Sequence, residues 1–165
     1  MATDMFSLNQ LPFTQHVQWE FDSASRFSEC YMISFILNGE FALTLSDSQH
    51  ILRTNDICFI PPYELYAFTP LHGESCMLIL EITRDFVESY CPAKECTSFS
   101  EYQLRCNLDD PLYYQVAREI SQFVFYTINV RATSHLHMVS AAASIMSILL
   151  DRYGCEPAQS VFAGS

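Results

Sequence analysis

Between His16 and Ile82 the chain breaks into short apolar runs rich in β-branched and aromatic residues, with a turn signal about every 8 to 12 residues. Such spacing leaves no room for a long helix in this half and predicts an all-β sandwich or barrel. The expected strands are His16 to Phe21, Cys30 to Leu37, Phe41 to Leu45, His50 to Arg53, Ile57 to Ile60, Glu64 to Thr69 and Ser75 to Ile82. Asn38-Gly39 tolerates positive φ at both positions, which suits a type I′ turn and predicts a hairpin there. Asp47-Ser48, Thr54-Asn55-Asp56 and Leu71-His72-Gly73 are further turn candidates. Pro61-Pro62 donates nothing to a ladder, so the chain must leave the sheet and re-enter it at that point.

Near residue 84 the pattern changes. An irregular stretch from Tyr90 to Asp109 leads into two segments with helical spacing, and no glycine lies between Gly73 and Gly154. The first helix should start with Asp110 as cap and Pro111 in the first turn, and run to Asn129. The second should open at Thr133 or Ser134 and run to Tyr153, with Gly154 as a left-handed stop and Pro157 preventing resumption. Along that second helix Leu136, Val139, Ala143, Met146, Leu150 and Tyr153 form one stripe. Ala142, Ile145, Ile148 and Leu149 widen the apolar arc beyond the roughly 100° that one neighbour requires. The surplus points to a second partner, and a symmetric copy of the chain is the simplest. Val139, Ala143, Met146, Leu150 and Tyr153 are therefore the expected dimer interface. The expected organisation is an N-terminal arm (1–15), a β-barrel (16–83), a helical dimerisation region (84–153) and a small, polar, linker-like tail (154–165).

A chain of 165 residues that is half hydrophobic can enclose one real core and still line a pocket. With 19 acidic against 8 basic residues its formal charge is −11, the wrong sign for neutralising phosphates, so this piece should not bind DNA by itself. Neither an apolar run of about 18 residues nor a signal peptide is evident, and the chain reads as cytoplasmic, with no membrane partner. Seven cysteines, at 30, 58, 76, 91, 96, 106 and 155, contain no Cys-x-x-Cys pair and read as free thiols. Cys58 and Cys76 sit in apolar runs as small buried hydrophobes, and Cys91 with Cys96 is a candidate for a bridge or a metal, against which stand a reduced compartment and the missing partner ligands.

Chemistry-bearing patterns are sparse. A metal-dependent barrel enzyme would need about three imidazoles and a carboxylate converging from adjacent strands. Of the five histidines, only His135 and His137 have a His-x-His spacing. They fall in the first turn of the second expected helix, where residues two apart point in different directions. His50 and His72 lie in or beside turns. No nucleophile elbow, phosphate-cradling loop or dinucleotide fingerprint occurs, and Asp109-Asp110 reads as a helix cap. The expectation is a binding domain, not an enzyme, with no metal and no cofactor.

The stretch from Tyr31 to Phe68, YMISFILNGEFALTLSDSQHILRTNDICFIPPYELYAF, resembles the sensor barrel of AraC-family transcription regulators. The resemblance rests on the strand ending in Asn38-Gly39 and on the run from Asp56 to Pro62. It implies a mainly β fold with C-terminal helices: a cupin-like (double-stranded β-helix, jelly-roll) barrel followed by an α-helical hairpin. Where family members often have Gly before the Asp, this chain has Asn55, which also tolerates the left-handed conformation. Where they often have His after the prolines, it has Tyr66, a phenol in place of a metal-capable ring. The implied function is to bind a small effector, a sugar among the candidates, and to dimerise through the helices. DNA would be reached only through a domain following residue 165. Tyr66 and Phe68 share a face that the resemblance turns into the barrel, and Leu78 matches a position that packs on effector. Trp19 and Phe21 on the first strand, with Ser34 or Phe35 on the second, are candidate neighbours, and which parity faces inward stays open. A metal-dependent cupin enzyme and a purely structural dimerisation domain with a filled barrel are the alternatives.

Overall fold

The structure, a computed structural model, describes residues 11–91 and 98–155. The start of the expected arm (1–10), Cys96 within 92–97, and the tail from 156, Pro157 included, lie outside the described residues. Seven strands come first: β1 (Phe13–Gln18), β2 (Tyr31–Asn38), β3 (Phe41–Leu45), β4 (Gln49–Leu52), β5 (Ile57–Ile60), β6 (Tyr66–Pro70) and β7 (Cys76–Ile82). Helix α1 (Arg84–Tyr90), short strands β8 (Ser98–Phe99) and β9 (Gln103–Leu104), helices α2 (Pro111–Ile128) and α3 (Ser134–Tyr153), and β10 (Gly154–Cys155) follow. Each expected strand has an observed counterpart, although β1 begins at Phe13 rather than His16.

A five-stranded antiparallel sheet, ordered β1-β7-β2-β5-β9, faces a three-stranded one, ordered β4-β3-β6. Met32, Ile36, Cys58, Ile60, Met77 and Ile79 from the larger sheet meet Phe41, Leu43, Leu45, Leu52 and Phe68 from the smaller in one core. This is a cupin-like barrel with helices toward the C-terminus. The opposite face of the larger sheet carries Ile33, Ile57, Phe59, Leu80 and Ile82 into a second core with α2 and α3. Burial on both faces explains why β2, β5 and β7 are almost continuously apolar in sequence instead of alternating.

The expected hairpin at Asn38-Gly39 is a sheet crossing instead. β2 pairs with β5 and β7, whereas β3 pairs with β4 and β6. Gly39 has φ +89° but Asn38 is not left-handed, and a type I′ turn needs both. Asn38 Nδ2 donates to Glu74 O at 2.9 Å, and a Cβ on Gly39 would overlap the Ser75 side chain. Glycine is thus required by a close crossing as well as by its φ. Asn55, at φ +73°, does take the left-handed conformation anticipated for it.

Asp110 caps α2 as expected, its Oδ1 accepting from Leu112 N at 3.0 Å with Pro111 opening the helix. Thr133 makes no side-chain cap on α3. Ser134 Oγ accepts from Arg131 N at 2.7 Å instead. Gly154 is not a left-handed stop: at φ −62° and ψ 130° it is extended, because β10 pairs with β8. Most of the wide apolar arc of α3 is consumed within the chain, since Met138, Ala141, Ala142, Ile145, Met146, Leu149 and Tyr153 are buried against the sheet and α2, whereas Leu136 is left exposed.

Asp56 ties barrel and helices together. Its Oδ2 accepts from Arg53 N at 2.8 Å and Gln103 Nε2 at 3.2 Å, and its Oδ1 accepts from Cys106 N at 2.8 Å. Asp56→Ala strands these donors and should cost roughly 2–4 kcal/mol in urea unfolding. Gly39→Ala should lower the melting temperature clearly, and Gly73→Ala, which meets no neighbour but is still strained by its φ of +31°, should lower it less.

Candidate functional site

Strand parity separates the expected ligand residues into two places. Ser34, Tyr66 and Phe68 look into the barrel, whereas Phe35 and Leu78 lie on the outer face beneath α2. Trp19 belongs to neither, being 62% exposed beyond the end of β1.

Inside the barrel, Phe68 is buried, Phe21 packs on Phe41 and Phe68, and Tyr66 is half-buried with its ring 5.4 Å from Phe68. Burial, with a smaller contribution from the Glu81 carboxylate, pushes the Tyr66 phenol up. Ser34 Oγ is fully buried and makes no hydrogen bond among the described residues. The space at this mouth, bounded by Gln18, Arg26, Tyr66, Phe68 and Ile79 among others, is about 40 Å³. Ligand pockets span roughly 300–1,000 Å³, so this space suits a water or two and not a hexose. Cys58 and Cys76 are buried as anticipated, and burial pushes the Cys58 thiol far up. Cys91 is a free, exposed thiol.

A groove of about 770 Å³ lies on the other side of the sheet. Its floor is Phe35, Leu37 and Leu78, with Phe35 and Leu78 directly opposite each other across β2 and β7. Its wall is one face of α2: Tyr113, Ala117, Ile120, Val124 and Ile128 recur at intervals of three or four. Asn55, Cys106 and Leu108 close one end. Tyr113 holds the wall to the floor by donating its hydroxyl proton to Asn55 O. Except for Phe35 and Leu78, none of these residues is among the ligand contacts expected from sequence, which come from the strands alone. A signal for the α2 wall is nonetheless present in sequence, since Val124, Phe125 and Ile128 extend the apolar arc of that helix past its buried stripe of Val116, Ile120 and Phe123.

The expected interface residues also divide. Met146 and Tyr153 belong to the core, where Tyr153 stacks on Phe59 with ring centroids 5.0 Å apart. Val139 and Leu150 are half-buried, and Ala143 is exposed. The core pair cannot serve as an accessible interface without unfolding the helix. His135 and His137 are both exposed, and His137 stacks on Tyr126. Among the described residues no three His, Cys, Asp or Glu side chains are grouped to hold a metal ion, and no helix is long and apolar enough to cross a membrane.

No protein-family model matches this chain, and no curated protein matches it. Among solved structures, apo ToxT from Vibrio cholerae, an AraC-family regulator, superposes with a TM-score of 0.56 at 14% identity. That likeness covers 88% of this chain and 58% of ToxT. ToxT with an unsaturated fatty acid bound gives 0.53 at 18% identity, over 86% of this chain and 55% of that one. This chain has the fold of part of ToxT. A cupin-2 domain protein from Shewanella frigidimarina overlaps less, with a TM-score of 0.40 at 15% identity over 50% of this chain and 92% of that one. The chain therefore spans little more than half the length of the ToxT structures.

Met146→Glu should collapse the fold, with loss of near-UV circular dichroism, because it buries an unpaired charge. Ala143→Glu, on the exposed face, should shift stability by about 0.5 kcal/mol or less.

Proposed function

We propose that this chain is an effector-binding domain of an AraC-type transcription regulator, and that the effector lies in the groove between the outer sheet face and α2. The groove itself carries this reading. It has the size of a ligand site, an apolar lining with a few polar groups, and two of the candidate ligand residues read from sequence, Phe35 and Leu78, the second of them matched by the family resemblance. The likeness to ToxT, solved once with a fatty acid bound, supports a sensor rather than an enzyme. In this reading the domain acts by binding alone, and DNA is contacted elsewhere in the full regulator, because a chain with formal charge −11 repels phosphate.

Dimerisation through the helices belongs to the same reading, on a different surface from the one expected. From residue 120 to 150 the only Lys, Arg, Asp or Glu is Arg131, although the chain as a whole is strongly acidic. The turn between α2 and α3 lies in that stretch, where Ile128, Val130 and Leu136 are 74, 81 and 74% exposed. An apolar patch free of acids is where two copies of an acidic chain can meet without repulsion. Ile128 also lines the groove, so a ligand there favours whichever dimer geometry leaves its site intact.

An apolar ligand at about 100 times its Kd should raise the melting temperature by roughly 5–10 °C, and hexoses should leave it unchanged. Ala117→Trp, which fills the groove, should abolish the shift; Leu108→Asp at the rim is the second variant should an indole not fit. A sugar-induced shift that survives both variants would put the site elsewhere. For the dimer, Val130→Glu with Leu136→Glu should give a folded monomer by sedimentation. A parent chain that is monomeric at millimolar concentration removes that part of the reading.

A further inference from the structure

The groove is lined by aliphatic and aromatic side chains together with Asn55, Ser121, Gln122, Asn129 and Cys106, and no Lys, Arg, His, Asp or Glu is among the described residues that line it. That composition decides which ligands can be held. A carboxylate drawn into the groove away from water loses hydration and gains no ion pair from the lining; Arg131, whose guanidinium lies 5.7 Å from the Phe125 ring centroid, is the neighbouring cation and stands outside that lining. The net acidity of the chain adds long-range repulsion of any anion. A cationic head finds no carboxylate in the lining to pair with. Carboxamides, by contrast, satisfy the hydroxyl or carbonyl of a neutral molecule at no electrostatic cost, and Ser121 Oγ, which donates to Arg118 O at 2.6 Å, can still accept from a hydroxyl.

Resting on the groove as the effector site, we propose that its ligand is an uncharged single-chain lipophile, an alcohol or ester. The free fatty-acid anion is disfavoured, a departure from the ligand class held by ToxT. The alkyl chain lies along Phe35, Leu78 and the α2 face, and the neutral head meets the amide and hydroxyl groups of α2.

Probes with a matched ten-carbon chain test this on the full protein at pH 8. Decan-1-ol and methyl decanoate should bind at least about tenfold more tightly than decanoate by calorimetry, and Ala117→Trp or Leu108→Asp should remove the binding. Ser121→Lys places an ammonium on an exposed position of the groove wall, and should strengthen decanoate roughly tenfold while giving the alcohol no gain. If decanoate binds the parent chain as tightly as the alcohol and is still blocked by the groove variants, the groove remains the site and the neutral-ligand inference is wrong. If no probe binds, or binding survives the groove variants, the groove assignment itself fails and the inference falls with it.

Discussion

The carboxylate of Asp56 is the point on which barrel and helices are hinged. It gathers donors from the turn after β4, from β9 and from the chain entering α2. The same turn is bound to the end of β2, where Ile36 N donates to Asp56 O at 3.0 Å and Asn55 N to Ile36 O at 2.8 Å. One buried anion thus fixes the strand carrying Phe35 relative to the helix carrying Tyr113, and so fixes both sides of the groove. A charged acceptor suits the task because several backbone and amide donors can share it. The run from Asp56 to Pro62 that carries the sequence resemblance starts at this residue.

Much of the architecture is legible in sequence because its cues are local. Proline pairs, turn residues and β-branched runs place the strands, and Asp110-Pro111 places α2 with its observed bounds nearly intact. Expectation and structure part where a distant partner overrules a local motif. Asn38-Gly39 reads as a hairpin, yet Glu74 and Ser75 on the approach to β7 dictate how the chain passes there. Gly154 reads as a helix stop, yet pairing with Phe99 draws it into extended backbone. The broad arc of α3 reads as a need for a second molecule, and one chain supplies both neighbours. Inward parity is not legible because strands buried on both faces show no alternation.

The same ambiguity scatters the expected ligand residues. Ser34 and Phe35 are adjacent in sequence but belong to different compartments, one the barrel core and the other an open groove. Tyr66 in place of a histidine suggests, in sequence, a pocket that binds without metal. Its phenol instead borders a space of about 40 Å³ and packs on Phe68. The apolar surplus that sequence alone assigns to a barrel ligand is spread over two cores and the wall of α2.

The larger sheet is therefore a partition one residue thick, and this changes what neighbourhood means along its strands. Leu78 and Ile79 are covalent neighbours that answer to different sets of side chains. Phe35 and Leu78, far apart in the chain, stand face to face over the same groove. Energetic coupling in double-mutant cycles should follow the side of the partition, strong between the distant pair and weak between the adjacent one. Variation in β2, β5 and β7 is then best grouped by sheet face, with the odd positions of β2 and β5 taken together with the even positions of β7.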